Sequence, residues 1–166
     1  MSTRSNIRVI LKEEDRNRDM KFNPEMIDIE NTWDDEQLET GVWETVNPEG
    51  KEALIVYHHW DGYPEGVGDT LINEYNDYDK ALNLVLGGDI STINSKYSPY
   101  ALRKGEDWGG IQPCAINEDH QQEEEYDYMF KDGKWYVRGG HDEGCDNWTD
   151  LEELLAQKRS WRPNYR

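Results

Sequence analysis

Residues 126–137 leave little choice of local structure. Tyr126, Tyr128 and Phe130 alternate with Asp127, Met129 and Lys131, Asp132-Gly133 supplies a turn pair, and Trp135 and Val137 resume the alternation. This predicts an antiparallel hairpin with one aromatic face, and such a face needs a second layer to cover it. Helical spacing supplies that layer. Val67, Leu71, Ile72 and Tyr75 recur on one side, Ala81, Leu82 and Val85 continue within 79–86, the two helices join near Asn76-Asp77, and Gly87-Gly88 ends the second. Thr149-Asp150-Leu151-Glu152 reads as a capping box before a closing helix that carries Leu151, Leu154 and Leu155.

Two more strands are expected. Ile7, Val9 and Leu11 alternate with Arg8, Ile10 and Lys12 as a half-buried strand, whereas Ala53-Leu54-Ile55-Val56-Tyr57 is continuously apolar and reads as a buried one. The mixed order of elements predicts an α+β fold: one domain over 1–166, an antiparallel sheet, and helices packed mainly on one face. Residues 13–52 form an acidic insertion in which short helices are expected near Asn23–Ile27 and Trp33–Leu38, and 158–166 form a basic tail.

Charged residues make up 33% of the chain and hydrophobic ones 35%, a balance that would favour disorder if aromatics were scarce. Seven Trp and ten Tyr reverse that reading, because their rings supply a core and their polar tips suit binding surfaces. The net charge is -18 and is unevenly placed. Residues 22–157 hold eight Lys/Arg against 32 acids, while both ends are basic. Such a body repels free nucleic acid, so direct binding of DNA or RNA is not expected. It attracts basic proteins, including nucleic-acid-binding complexes whose groove it would occupy by mimicry. Asp34, Asp35 and Glu36 in the insertion, with Glu123, Glu124 and Glu125, are the candidate contacts; the plain alternative is a solvated face that keeps the protein soluble.

The stretch Tyr57-His58-His59-Trp60-Asp61-Gly62-Tyr63-Pro64-Glu65-Gly66-Val67-Gly68 places two imidazoles, an indole, a phenol and two carboxylates in one turn after the buried strand. Arg4, His58, His59, Trp60, Asp61, Tyr63 and Glu65 are therefore the candidate ligand residues, Arg4 being the cation if the first strand lies beside the one ending at His59. The ligand expected there is small and nucleotide-like, or a signalling molecule. The glycine spacing places backbone N–H groups where an anion could sit, but Glu65, Asp69 and the lack of Gly-Lys-Ser/Thr favour an ordinary strand-to-helix turn.

The same segment, together with Met1–Ile7, Ala81–Ser91, Tyr126–Phe130 and Trp135–Val137, resembles a group of small proteins of bacteriophages and bacterial mobile elements. That resemblance covers most of the chain outside 13–52 and implies a phage or mobile-element origin, with no activity to transfer to particular residues; joined to the acidic surface, it makes an accessory protein that binds and blocks a host defence component the expected function.

Catalysis and metal binding have weaker patterns behind them. His58 or His59 with Asp61 nearby would serve a hydrolase or transferase, yet no serine sits in a nucleophile elbow and no acid pair is singled out, so no catalytic residue is assigned. Cys114, His120, His141 and Cys145 have ligand chemistry, but their spacing matches no common zinc module, and no metal or cofactor is expected. No apolar run reaches the roughly 18–20 residues of a membrane helix and no hydrophobic leader opens the sequence, so a cytosolic protein without a membrane partner is expected. For a phage protein this is the cytosol of the bacterial host.

Overall fold

The computed structural model describes residues 4–21, 45–58, 62–87, 90–94, 97–101, 111–116, 126–139 and 148–161. The fold is α+β, as the order of elements predicts. Its main sheet is built on β1 (Ser5–Ile10), which pairs antiparallel with β4 (Ala53–His58) and parallel with β8 (Tyr126–Lys131). Beyond β8 lie β9 (Lys134–Gly139) and the two-residue β10 (Thr149–Asp150); beyond β4 lie β5 (Ile90–Asn94) and β6 (Tyr97–Ala101). A short strand, β7 (Gln112–Cys114), pairs with Ala53–Ile55 of β4, and β5 joins the same edge farther along, at His58. The sheet is thus mixed, with two parallel pairings in a mainly antiparallel array.

Strand alternation separates two faces. Ile7, Val9, Leu54, Val56, Tyr128, Phe130, Trp135 and Val137 form the apolar face, all at most 4% exposed. It is covered by α1 (Asp69–Glu74), α2 (Tyr78–Leu86) and α3 (Leu151–Trp161), which add Leu71, Ala81, Leu82, Val85, Leu151 and Leu155 to the same core. Phe130 and Trp135 meet edge to face with centroids 5.2 Å apart, and the Trp135 indole donates to the carbonyl of Tyr75 at 2.8 Å. The indole is therefore buried without an unsatisfied donor. Among the described residues no helix is long and apolar enough to cross a membrane.

The hairpin is the most local of these elements. Asp132 and Gly133 adopt φ values of 51° and 83°, the paired left-handed geometry of a two-residue turn whose twist matches the strands. In α2 the Asp77 side chain accepts from the Lys80 N–H at 2.8 Å, fixing the junction between α1 and α2. The closing helix differs from its predicted start. Thr149 is engaged in β10, paired with Val137, and Asp150 is the cap, its Oδ1 accepting from the Glu153 N–H at 3.1 Å. Strand pairing has moved the cap by one residue.

The predicted insertion is anchored at both ends. Met20–Lys21 (β2) pairs with Thr45–Val46 (β3), Met20 reaches the main core, and Asp15 is buried beneath α2. Asp15 accepts from the Tyr78 hydroxyl at 2.6 Å and from Arg18 at 2.9 Å. The helices expected near 23–27 and 33–38 lie outside the described residues. The Tyr78 hydrogen bond, with Arg18 beside it, holds the Asp15 carboxyl below its usual range, while burial raises the Tyr78 phenol. A carboxyl lowered in the folded state stabilises above its unfolded pKa and loses that contribution as pH falls through the folded value. Asp15→Asn should therefore flatten the loss of urea stability between about pH 5 and pH 2 relative to the parent.

Gly68 shows why a glycine stands before α1. A Cβ there would lie 3.2 Å from Cδ1 of the fully buried Leu151. Leu151→Ala should cost about 2–5 kcal/mol in urea unfolding. Gly68→Ala should be less harmful in that background than in the parent, because the two sites share one contact.

Candidate functional site

The N-terminal end of β1, the C-terminal end of β4 and the N-terminal end of β8 meet at one margin of the sheet. Ser5 lies opposite His58 on one side and Tyr126 on the other, so hydroxyl, imidazole and phenol fall in one transverse row on the helix-side face. Ser5 and His58 are completely buried and Tyr126 is half-buried. Above this margin the turn is held by Tyr128, whose hydroxyl donates to the Gly62 carbonyl at 2.6 Å. Burial raises the Tyr128 phenol well above its usual value, and the neighbouring Tyr126 and Glu65 act in the same direction. Tyr128 thus remains a neutral donor. Pro64–Gly68 then form one wide π-helical turn leading into α1.

The predicted ligand residues divide around this margin. His58 is buried in the row, Glu65 is exposed, and Tyr63 is 39% exposed at the start of the π turn. Arg4 does lie beside the end of β4, since Ser5 pairs with His58, and its carbonyl accepts from the Tyr126 N–H at 3.4 Å. Its exposed side chain belongs by alternation to the face of Asn6 and Arg8, opposite that of His58. His59, Trp60 and Asp61 lie outside the described residues, as do Asp34, Asp35, Glu36, Glu123, Glu124 and Glu125. Of the four candidate zinc ligands, Cys114 is buried against Ala53 and Ile55; His120, His141 and Cys145 lie outside the described residues. Among the described residues no three His, Cys, Asp or Glu side chains converge on a metal position.

A second constellation went unread in the sequence. On the face away from the helices, Arg138, Asp127, Asn6 and Tyr57 occupy aligned positions on β9, β8, β1 and β4. Asp127 receives the Asn6 amide at 3.0 Å and Arg138 Nε at 2.8 Å, with Arg8 Nη2 at 3.7 Å. Arg8 also donates to the Ile116 carbonyl at 3.1 Å, and both guanidiniums lie over the Trp148 ring, at 5.4 Å for Arg8 and 4.6 Å for Arg138. The alternation in β1 predicts a half-buried strand with Arg8 outward; Arg8 is instead 0% exposed. Central placement between β4 and β8, with Trp148 and the 115–116 backbone over that face, removes it from water. The signal available was weak: Asn6 and Arg8 in one strand, Asp127 in a second and Arg138 in a third, which only the register aligns.

Among the described side chains the outer surface of the helix layer is acidic; Lys158 and Arg159 of α3 lie outside them. Glu65, Glu74, Asp77, Asp79, Glu152 and Glu153 are exposed, and Lys80 is the one cation among residues 62–87. No protein-family model, curated protein or solved structure matches the chain.

Asp127 is the shared counter-ion of two buried guanidiniums, so its loss should be severe. Asp127→Ala is expected to cost about 3–5 kcal/mol in urea unfolding. Lys80→Ala, which breaks the exposed 3.9 Å pair with Asp77, should cost at most about 1 kcal/mol.

Proposed function

We propose that this protein works by binding, docking an acidic surface on a basic protein, and that it serves as a phage-type accessory inhibitor of a host defence component in the bacterial cytosol. The observation that carries this reading is the acidic outer surface of the helix layer, where Glu65, Glu74, Asp77, Asp79, Glu152 and Glu153 are exposed. The only cation within residues 62–87 is already engaged with Asp77. Two of the chain's arginines, Arg8 and Arg138, are turned inward and do not dilute the charge outside. A surface of this sign steers basic partners and repels nucleic acid, so the target is a protein whose own groove binds DNA or RNA. Asp34, Asp35 and Glu36, with Glu123, Glu124 and Glu125, extend the same charge in sequence. The phage setting rests on the resemblance of the HHWDGYPEG segment and its companions.

The test uses immobilised protein and a bacterial lysate, comparing the parent with a Glu74→Lys, Asp79→Lys, Glu152→Lys variant and an Asp34→Lys, Asp35→Lys, Glu36→Lys variant. A basic nucleic-acid-binding protein should be retained by the parent and displaced by duplex DNA. Its association should slow by about tenfold or more in at least one variant and at high salt, because steering is screened beyond about 8 Å at physiological ionic strength. Retention indifferent to both charge reversals and to salt removes the reading.

A further inference from the structure

The small ribbon of β2 and β3 leaves one strand edge open. β2 pairs with β3 alone, through Met20 with Val46 and Lys21 with Thr45. In an antiparallel ladder successive residues direct their N–H and C=O groups alternately toward the partner strand and away from it. One of Met20 and Lys21 therefore turns both groups away from β3, and no other backbone hydrogen bond reaches either of them among the described residues. Such an edge is a template for one more strand.

The open edge borders a groove. A cavity of about 610 Å³ lies between residues 18–21 and α2, and neither Thr45 nor Val46 lines it, so it falls on the side of β2 away from β3. Its helix wall is Asp79, Leu82, Asn83 and Leu86, one stripe at helical spacing that runs about 10 Å along α2. Leu82, Leu86 and Met20 belong to the main core and give the groove an apolar floor. Asp15 accepts from both Tyr78 and Arg18, which sets Arg18 at the N-terminal end of the helix wall with its charge matched. Lys21, Asp79 and Asn83 are exposed and make no side-chain hydrogen bond or ion pair among the described residues. A phosphate would meet Asp19 and Asp79 beside the cations, and a small metabolite has no use for a strand edge. An extended peptide uses every part: its main chain completes β2, alternate side chains rest on the leucines, and charges of opposite sign meet Asp79 and Lys21.

We infer that the groove between β2 and α2 is a docking site for an extended segment of a partner protein, about three to four residues long, which adds to the free edge of β2. The segment buries apolar side chains on Leu82 and Leu86 and carries a basic residue at Asp79 and an acidic one at Lys21. The site goes beyond the docking of an acidic surface, because main-chain hydrogen bonds and apolar burial persist at salt concentrations that screen charge steering.

The experiment titrates isotope-labelled full-length protein with acetylated, amidated pentapeptides of the pattern Lys-X-Thr-X-Glu and of its reverse, X being Leu, Ile or Phe, and follows amide shifts and hydrogen exchange. At least one probe should bind at millimolar concentration or below, shift the amides of residues 18–21 and 79–86, and protect whichever of Met20 and Lys21 exchanges fast without it. Of two forms of that probe N-methylated at alternate residues, at least one should bind about tenfold more weakly, the equivalent of one lost hydrogen bond. Asn83→Trp, at an exposed position, should fill the groove and weaken the probe by about tenfold or more, with the Tm near that of the parent. Asp79→Lys should weaken the probe by about twofold or more and favour one with Glu in place of its Lys. The proposal is overturned if no probe binds at millimolar concentration, if binding ignores Asn83→Trp or both N-methylated forms, or if the shifted amides lie elsewhere. Protection of both Met20 and Lys21 before any probe is added also overturns it, because the edge is then held by the chain itself or by a second copy. Glu152→Lys, on α3 and outside the groove, should leave the probe unaffected. Probe binding without a basic protein retained from lysate sinks the acidic-surface reading and sustains the groove; retention without probe binding sinks the groove alone.

Discussion

The strand Ser5–Ile10 is enclosed on both edges, and its side chains through Val9 are buried on both faces; the rest of the molecule is arranged to make that enclosure tolerable. Antiparallel pairing with β4 and parallel pairing with β8 satisfy its backbone. Ile7 and Val9 face the helices and need only apolar cover. Asn6 and Arg8, on the other side, need hydrogen-bonding partners, and the register of β8 and β9 supplies them by bringing Asp127 beside Asn6 and Arg138 beside Asp127. Without that register the central strand would hold an uncompensated guanidinium in a dry interior, a cost comparable to that of the largest apolar truncations.

This enclosure also sorts the charge. Arg8 and Arg138 are drawn inward around one carboxylate and the Trp148 ring, while the helix layer presents carboxylates to solvent. Exposed carboxylates retain their hydration and need no partner, so a chain with twice as many acids as bases can fold provided its few buried ions are matched. The same arrangement gives the outer surface its capacity to attract basic partners and leaves the polar margin at Ser5, His58 and Tyr126 on the inner side of the helices.

Local chemistry made much of the fold legible. Alternation with Asp132-Gly133 identifies the hairpin, and Asp77 and the apolar spacing identify α2, because the interactions involved span only a few residues. Competition between elements limited the rest. Thr149 has good capping chemistry, but β10 claims it for pairing with Val137 and leaves the cap to Asp150. The candidate site was legible in part. The turn after β4 draws notice through its residues, and β1 does lie beside β4, the condition set for Arg4, although alternation puts the Arg4 side chain on the face opposite His58. Ser5 and Asn6 passed unnoticed because a serine and an asparagine near a strand start are unremarkable until their burial is known.

By itself the sequence determined the α+β class, the hairpin, the turn positions and the excess of negative charge, all of which depend on composition or on residues close along the chain. Tertiary structure decided which strands are central, that Arg8 is interior, and that Ser5 stands between His58 and Tyr126. Those facts arise from pairing between residues more than forty and more than a hundred positions apart. Periodicity says that a strand has two faces; only its neighbours in the sheet determine whether each face meets solvent, a helix or an ion.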